Sequence, residues 1–354
     1  RVGAGSVYRG ARIGVRGTGD EHAQVASRVT GPPERRTFSR RGKIAGVVWG
    51  GIEHVTFLIG TRVPPLMAES EELVWSDLGL DGPEPLKSEV NREVGKAVSA
   101  ITGKEADLAR PDVVAILDLA RGTVELEITP LFFRGRYRKL ERGIPQTRWP
   151  CRVCRGAGCE RCGFTGKMYP DSVEELIGRP AIELFRAGDA GLHGAGRQDI
   201  DARMLGRGRP FVIEVKKPKK RVIDLRGLTK KINEQAVGKI KVSGLRLVGK
   251  DMVRLLKKSE AAQKLYRVIV EFDKPVPTGQ LLALEKALAN MVVHQQTPRR
   301  VLHRRADLIR EKHIYWTKVK KLKPNRAEMR IRCQGGLYIK ELITGDEGRT
   351  NPNV

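Results

Sequence analysis

The chain has 354 residues, enough to bury a core and to hold two domains with small connecting modules. Lys and Arg number 67 against 41 Asp and Glu, a formal net charge of +26, so a polyanion, and nucleic acid first among them, is the expected partner. No apolar run approaches the roughly 20 residues that cross a bilayer, and the start of the chain lacks the apolar centre of a secretory signal. Membrane contact is therefore not expected, and the expected compartment is cytoplasmic.

Residues 1–45 are rich in Gly and Arg, with 10 Lys or Arg against 3 Asp or Glu, and carry little periodicity. Disorder is the expectation there, with Gly31-Pro32-Pro33-Glu34-Arg35-Arg36 reading as linker. Residues 46–140 read as a small mixed α/β domain. Pro85 precedes Leu86, Val90, Val94, Val98 and Ile101 at helical spacing, and Gly103 closes the run. Val113-Val114-Ala115-Ile116-Leu117 is apolar and of strand length. The Arg121-Gly122 turn then leads to Val124, Leu126 and Ile128, which alternate as in a half-buried strand. One hairpin packed on one helix is the expected arrangement. The stretch Arg134-Gly135-Arg136-Tyr137-Arg138-Lys139 reads as a basic connector whose arginines suit phosphates and whose aromatic suits base stacking. A solvated strand end is the equal alternative.

Residues 141–170 hold Cys151-x-x-Cys154 and Cys159-x-x-Cys162, two pairs four residues apart. Such spacing places four thiolates around one tetrahedral centre, and Gly156, Gly158 and Gly163 permit the tight turns. Zinc is the expected ion. With sulfur at all four positions no place remains for a substrate, so its role is structural. Cys333 reads as an ordinary buried residue.

Residues 171–354 read as a larger α+β region. Ser172 is a natural N-cap and Glu175 completes a capping box, which predicts a helix to Phe185. Strands are predicted at 211–215, 266–272, 313–319 and 327–333. A further helix is predicted from Gln280 to Met291, with Leu281, Leu284, Leu288 and Met291 on one face. Within His193-Gly194-Ala195-Gly196-Arg197-Gln198-Asp199-Ile200-Asp201 a glycine turn meets a basic residue and two acids. A carboxylate beside a cation stays ionised and is able to act as nucleophile or base, though an ordinary Asx turn explains so short a string equally well.

Three short strings in a fixed order change that balance. Gly196-Arg197-Gln198-Asp199 resembles the Gly-Arg-x-Asp motif that carries the catalytic aspartate of several pseudouridine synthase families. Lys264-Leu265-Tyr266 is similar to their second motif, and Gly336-Leu337-Tyr338-Ile339-Lys340 to their third. Longer strings resemble one branch, the archaeal tRNA pseudouridine synthases acting on uridines 54 and 55 of the TΨC arm. These are Gly135–Lys139 with Ile144-Pro145-Gln146-Thr147, the four-cysteine module, Asp201–Gly206, Gln295–Val301 and Gly345–Thr350. The likeness is strongest from about residue 130 onward and weaker over 46–130, where that family carries a tRNA-binding THUMP domain.

The resemblance implies an α+β fold: a pseudouridine synthase-type mixed or antiparallel sheet as catalytic domain, preceded by a small α/β THUMP-like domain and a zinc module. It implies tRNA as partner, a monomer, no organic cofactor, and an isomerase. Asp199 is then the nucleophile or base, Tyr266 stacks on the base, and Lys340 is the cation partner of Asp199. Arg197 fills the place of the flipped nucleotide. The basic strips Lys216-Lys217, Lys219-Lys220-Arg221 and Arg304-Arg305 are expected phosphate contacts, beside Arg136, Tyr137, Arg138 and Lys139. Gln198 stands where the family has Glu. The chain starts with Arg, lacks the N-terminal cysteine pair of many relatives and stops at Val354, short of the family's last strand, so truncation is expected. The competing readings are a non-catalytic tRNA-binding protein and another THUMP-containing tRNA-modifying enzyme. A methyltransferase needs a Gly-rich loop after a first strand, and a thiolase a P-loop-like segment or a redox cysteine; neither is found.

Overall fold

The computed structural model describes residues 51–79, 82–196, 198–258 and 262–354. The expectations for residues 1–45, including the linker at 31–36, lie outside the described residues, as does Arg197. The chain divides into two compact units. One runs to His193 and resumes from Asp199 to Gly249; the other holds Gly194–Gln198 and Lys250–Val354. The fold is α+β, with antiparallel sheets in both units.

In the first unit, β1 (Thr56–Arg62) lies between β2 (Glu105–Ala106) and β3 (Val113–Asp118), parallel to both, and β4 (Thr123–Ile128) closes a hairpin with β3. The helices α1 (Pro65–Asp77) and α2 (Leu86–Thr102) form the crossover from β1. Pro85 caps α2 and Gly103 ends it in the left-handed conformation, as the sequence predicts. Val94 and Val98 of α2 pack against the buried Phe57, Ile59, Val113 and Ala115. The predicted hairpin on one helix is thus part of a larger sheet. Its centre, β1, escapes the sequence reading because its burial alternates while its residue types do not: Leu58 lies on the less buried face and the polar Thr61 on the buried one.

The second sheet of this unit has the order β6-β7-β5-β8. It comprises β5 (Leu131–Lys139), β6 (Asp189–Gly194), β7 (Met204–Lys216) and β8 (Ile240–Val248). The expected basic connector is therefore β5, a central strand paired antiparallel with β7 and β8. Phe133, Gly135, Tyr137 and Lys139 face inward while Arg134, Arg136 and Arg138 face solvent, the two-residue period of a half-buried strand. A Cβ on Gly135 would stand 2.8 Å from Leu245 Cδ2 and 3.0 Å from the Phe211 ring, so only glycine fits there. The helices α3 (Val173–Phe185) and α4 (Leu225–Gln235) supply much of the core beside this sheet. Ser172 caps α3 by accepting the Glu175 amide at 3.2 Å, and its hydroxyl donates to Glu175 Oε2 at 2.9 Å. Val173, Ile177, Ala181 and Phe185 of α3 are fully buried, and each of the larger ones contributes roughly 1.5–3 kcal/mol by leaving water.

Arg221 is the most buried cation where the two sheets of the first unit meet, beside a backbone bond from the Glu53 amide to the Lys219 carbonyl at 2.7 Å. Arg221 pairs with Asp112 at 3.0 Å and donates to the Thr129 carbonyl at 2.9 Å. Its own amide donates to Glu53 at 2.8 Å. Its side chain is 11% exposed, so Arg221 is an internal latch and not the phosphate contact the sequence suggests. Lys216 of the neighbouring strip pairs with Asp189 at 3.0 Å.

The second unit is a five-stranded sheet of order β13-β10-β11-β12-β9. Its strands are β9 (Lys264–Glu271), β10 (Met291–Gln296), β11 (Ile309–Lys323), β12 (Arg326–Cys333) and β13 (Thr350–Asn351). With it go α5 (Asp251–Lys258), α6 (Thr278–Ala287) and α7 (Ile339–Thr344). The helix predicted to reach Met291 ends earlier: Asn290 adopts φ +53, and Met291 opens β10. Leu281 and Leu288 are buried as predicted. Cys333 lies in the core of this sheet, and burial pushes its thiol up to about 12, the inert state of an apolar residue.

Candidate active site and metal centre

Gly196 turns the chain at φ +74 just after β6, and Asp199 follows at the point where the chain re-enters the first unit. Asp199 is half-buried. Its Oδ1 accepts the Asp201 amide at 3.0 Å, the Asx turn that the sequence left open. That turn alone would not hold a carboxylate still. The rest of the grip comes from the end of β5. Lys139, fully buried, donates to the carbonyl oxygens of Ile144 at 2.9 Å, Ile200 at 2.7 Å and Asp199 at 3.3 Å. An ammonium has three N–H donors, and all three are used. The Gly143 amide donates to the Ile200 carbonyl at 3.0 Å, and Arg142 Nη1 donates to the Asp201 carbonyl at 2.9 Å. Burial brings the Lys139 ammonium down to about 8 against the pull of Asp199 and Asp201.

Lys139 is thus corrected from an RNA contact to a strut beneath the aspartate loop. Tyr137 is corrected as well: it is fully buried against Phe211, ring centroids 5.9 Å apart, and has no face to offer a base. The signal for both lies in the sequence. Positions 133, 135, 137 and 139 share one face of a strand, and Phe133 marks that face as the core. Arg136 and Arg138 are on the exposed face, and Arg136 donates to the carbonyls of Arg207 and Gly208, both at 2.7 Å.

Tyr266 and Lys340 belong to the second unit. Tyr266 is half-buried on β9, opposite Ile331 of β12, on the side of the strand that packs toward the core. Lys340 is exposed in the first turn of α7. Three of the strings that carry the resemblance converge there. The Gln295 amide group accepts from the Tyr338 N–H at 2.8 Å and donates to the Tyr338 carbonyl at 3.0 Å and Thr350 Oγ1 at 3.1 Å. Arg300 pairs with the buried Glu341 at 2.5 Å and lies 5.8 Å over the Tyr338 ring. Arg305 is exposed and donates to the Tyr338 hydroxyl at 2.9 Å. Gln295 and Glu341 were not singled out from the sequence, where a buried polar residue has no mark of its own. Arg304 lies in a short 3-10 turn, and its side chain is outside the described residues.

The four cysteines sit between β5 and α3. Their sulfurs all lie within 4.8 Å of one another, with Cys151–Cys159 and Cys154–Cys162 each at 3.9 Å, and none is in a disulfide. Amides converge on them: Gly158 on Cys154, and Cys159 and Gly166 on Cys162, each at 3.2 Å. A Cβ at Gly166 would fall 2.4 Å from the Gly156 carbonyl oxygen, so the second loop closes on the first only through glycine. Against burial, which disfavours the thiolate, the amides of Cys159 and Gly166 bring Cys162 down to about 6. Four sulfurs this close, with amides pointing at them, fit a thiophilic cation, which is the charge that would let all four ionise together. The module is tied to α3 by the ion pair of Lys167 with Glu175, and the chain entering it meets the chain leaving it where Trp149 packs edge-on to Tyr169 at 5.8 Å.

No helix among the described residues is long and apolar enough to cross a membrane. Two family models match the chain: the Pus10 C-terminal model over residues 132–354 and the archaeal Pus10 THUMP domain model over residues 45–118. The tRNA pseudouridine synthase Pus10 of Methanothrix thermoacetophila is 50% identical over 306 residues, covering 86% of this chain and 67% of that protein. That of Methanopyrus kandleri is 46% identical over 308 residues, covering 86% and 70%. That of Methanocaldococcus jannaschii is 49% identical over 300 residues, covering 84% and 64%. The chain therefore spans about two thirds of the length of these relatives. Among solved structures, a crystal structure of a Cbf5-Nop10-Gar1 complex aligns over 59% of this chain and 42% of that chain, at 13% identity and a TM-score of 0.31. The chain belongs to the Pus10 family of tRNA pseudouridine synthases, a family of isomerases.

Proposed function

We propose that this protein isomerises uridine to pseudouridine in the TΨC arm of tRNA, at uridine 54, uridine 55 or both, in the cytoplasm. Asp199 is the catalytic carboxylate in this reading. The observation that supports it best is the aspartate loop itself. A half-buried carboxylate on a loop gripped by Lys139, Arg142 and Gly143 is held as a reacting group must be, and an ordinary surface turn needs no such grip.

The reaction breaks the bond from C1′ to N1, turns the uracil and joins C1′ to C5; the proton leaves C5 and N1 gains one. It is redox-neutral and transfers no external group, so it requires no organic cofactor. Asp199 serves as nucleophile or base at the ribose or uracil. Tyr266 stacks on the base, and Lys340 is the cation partner of the carboxylate, roles assigned from motif order. Extruding a loop base costs on the order of a few kcal/mol. Phosphate contacts from Arg136, Arg138, Arg304 and Arg305, with Arg197 at the vacated position, offset that cost. Residues 46–130 act as the THUMP-like tRNA-binding domain, and β5 belongs with the catalytic sheet. Zinc is the ion the four-cysteine module would hold: Cys151, Cys154, Cys159 and Cys162 would supply four sulfurs and leave no place for a substrate, so its contribution would be structural.

The test is incubation of the wild-type chain and Asp199→Asn with an unmodified tRNA transcript, followed by pseudouridine mapping at nucleotide resolution. Asn retains an oxygen for the Asp201 amide but not the charge, so the variant should bind tRNA and form no pseudouridine. Wild-type turnover by Asp199→Asn would remove Asp199 from the chemistry. A wild-type chain that binds tRNA and modifies none would favour the binding-protein reading.

A further inference from the structure

Phe164 is unusual in two independent ways. The residue is 74% exposed, and its backbone sits at φ +59, a region bulky residues rarely adopt. The knuckle imposes that conformation: the Phe164 amide donates to the Cys159 carbonyl at 2.9 Å, directly after Gly163 at φ +57. Glycine or asparagine would meet the same demand without strain and without exposing an aromatic. Nothing in the folding of the module calls for a phenyl ring here. Strain and exposure together at one residue mark it for contact with something outside the chain.

The surroundings say what that contact is. Arg152, Arg155 and Arg161 are exposed, and each is next in sequence to one of the four cysteines. Among the described residues none of the three forms an ion pair. Glu160 is the single acid from residue 151 to 168. With the sulfurs within 4.8 Å of one another and consecutive Cα atoms about 3.8 Å apart, the three arginine Cα atoms fall within about 18 Å of one another, the span of a few nucleotides. An acidic peptide would satisfy the guanidinium groups but leave the ring in water. An unpaired nucleotide supplies a flat face for the ring and phosphates for the arginines.

We propose that the four-cysteine knuckle is itself an RNA-binding surface, on which Phe164 stacks against an unpaired base of the tRNA while Arg152, Arg155 and Arg161 hold the flanking phosphates. This rests on tRNA being the substrate and goes beyond it by giving the metal module a contact of its own. The experiment uses the full metal-loaded chain and an unmodified tRNA transcript, with zinc stoichiometry measured for every protein. Phe164→Leu keeps an apolar side chain of similar size at the same φ but has no π face. It should weaken tRNA binding about tenfold with the metal retained, raise KM and leave kcat unchanged. Phe164→Tyr should bind like the wild type. Arg155→Gln with Arg161→Gln should flatten the dependence of log Kd on log salt by about two phosphate contacts. Wild-type affinity in Phe164→Leu, or equal weakening in Phe164→Leu and Phe164→Tyr, overturns the proposal and leaves the activity untouched. Failure of the wild-type chain to bind tRNA overturns the substrate reading and this proposal with it.

Discussion

Lys139 offers three donors to three carbonyls, and two of those carbonyls belong to Asp199 and Ile200. Lys139→Met keeps the length of the stem but leaves buried acceptors unpaired, each at a cost of about 1–3 kcal/mol. The expected outcome is a chain that binds tRNA yet forms pseudouridine at least about tenfold more slowly, because the carboxylate proposed as the reacting group is no longer held in place. Single-turnover rates beside Kd values check this; equal slowing and weakening would mean the whole unit had loosened. The pH dependence has a definite sign. Burial holds the ammonium at about 8 against an ordinary 10.5, so the folded state binds this proton less tightly than the unfolded state. Its share of stability is a cost below about 8 that fades as pH rises toward 10.5, while the loop loses one of its donors over the same passage. A rate that declines on the alkaline side of about pH 8, a limb absent from Lys139→Met, is the result to look for.

Among the elements, the join between the two sheets of the first unit and the cysteine module are the most exposed to single changes. Arg221→Met deletes the pair with Asp112 and the bond to Thr129, and strands a carboxylate whose other oxygen accepts the Val55 amide at 2.8 Å. A loss of about 3 kcal/mol is expected in urea unfolding, with faster hydrogen exchange at Val55 and Thr56 and little change in pseudouridine chemistry at saturating tRNA. Unchanged exchange there would show that the join does not depend on this arginine. In the cysteine module, chelation or Cys154→Ser removes one sulfur of four. The metal should be lost and the melting temperature should fall, since the amides that converge on Cys154 and Cys162 lose the charge that organises them. Metal analysis of the wild type should give one zinc per chain, and a metal-free chain that melts identically would contradict the module's structural role.

For the molecule as a whole, charge is the dominant bulk property. A net +26 predicts tRNA binding that weakens steeply with salt, on the order of 10³-fold between 50 and 200 mM if six or more phosphates are contacted. Binding indifferent to ionic strength would point to recognition by shape and apolar contact. The charge is not evenly available, however. Arg221 and Lys139 are used internally, and Lys167 and Lys216 are paired with Glu175 and Asp189. The surface open to phosphate is smaller than the lysine and arginine count suggests.

Local features were legible because they depend only on neighbours in the chain. The cap of α3 at Ser172, the glycine that ends α2, the four-cysteine cluster and the buried Cys333 all follow from short-range geometry or hydrophobicity, while the order of three motifs pointed to the pseudouridine synthases and the longer strings to the branch. What escaped depends on partners distant in sequence. Arg134–Lys139 reads as a charged connector until β7 and β8 pair with it on both sides and turn alternate residues into core. Lys139 reads as one more base for phosphate until the carbonyls of residues 199 and 200, some 60 positions away, close around it. Arg221 reads as surface until Asp112 meets it. A sequence states which side chains carry charge; burial and pairing decide which of those charges face the substrate, and that decision is made only by the tertiary fold.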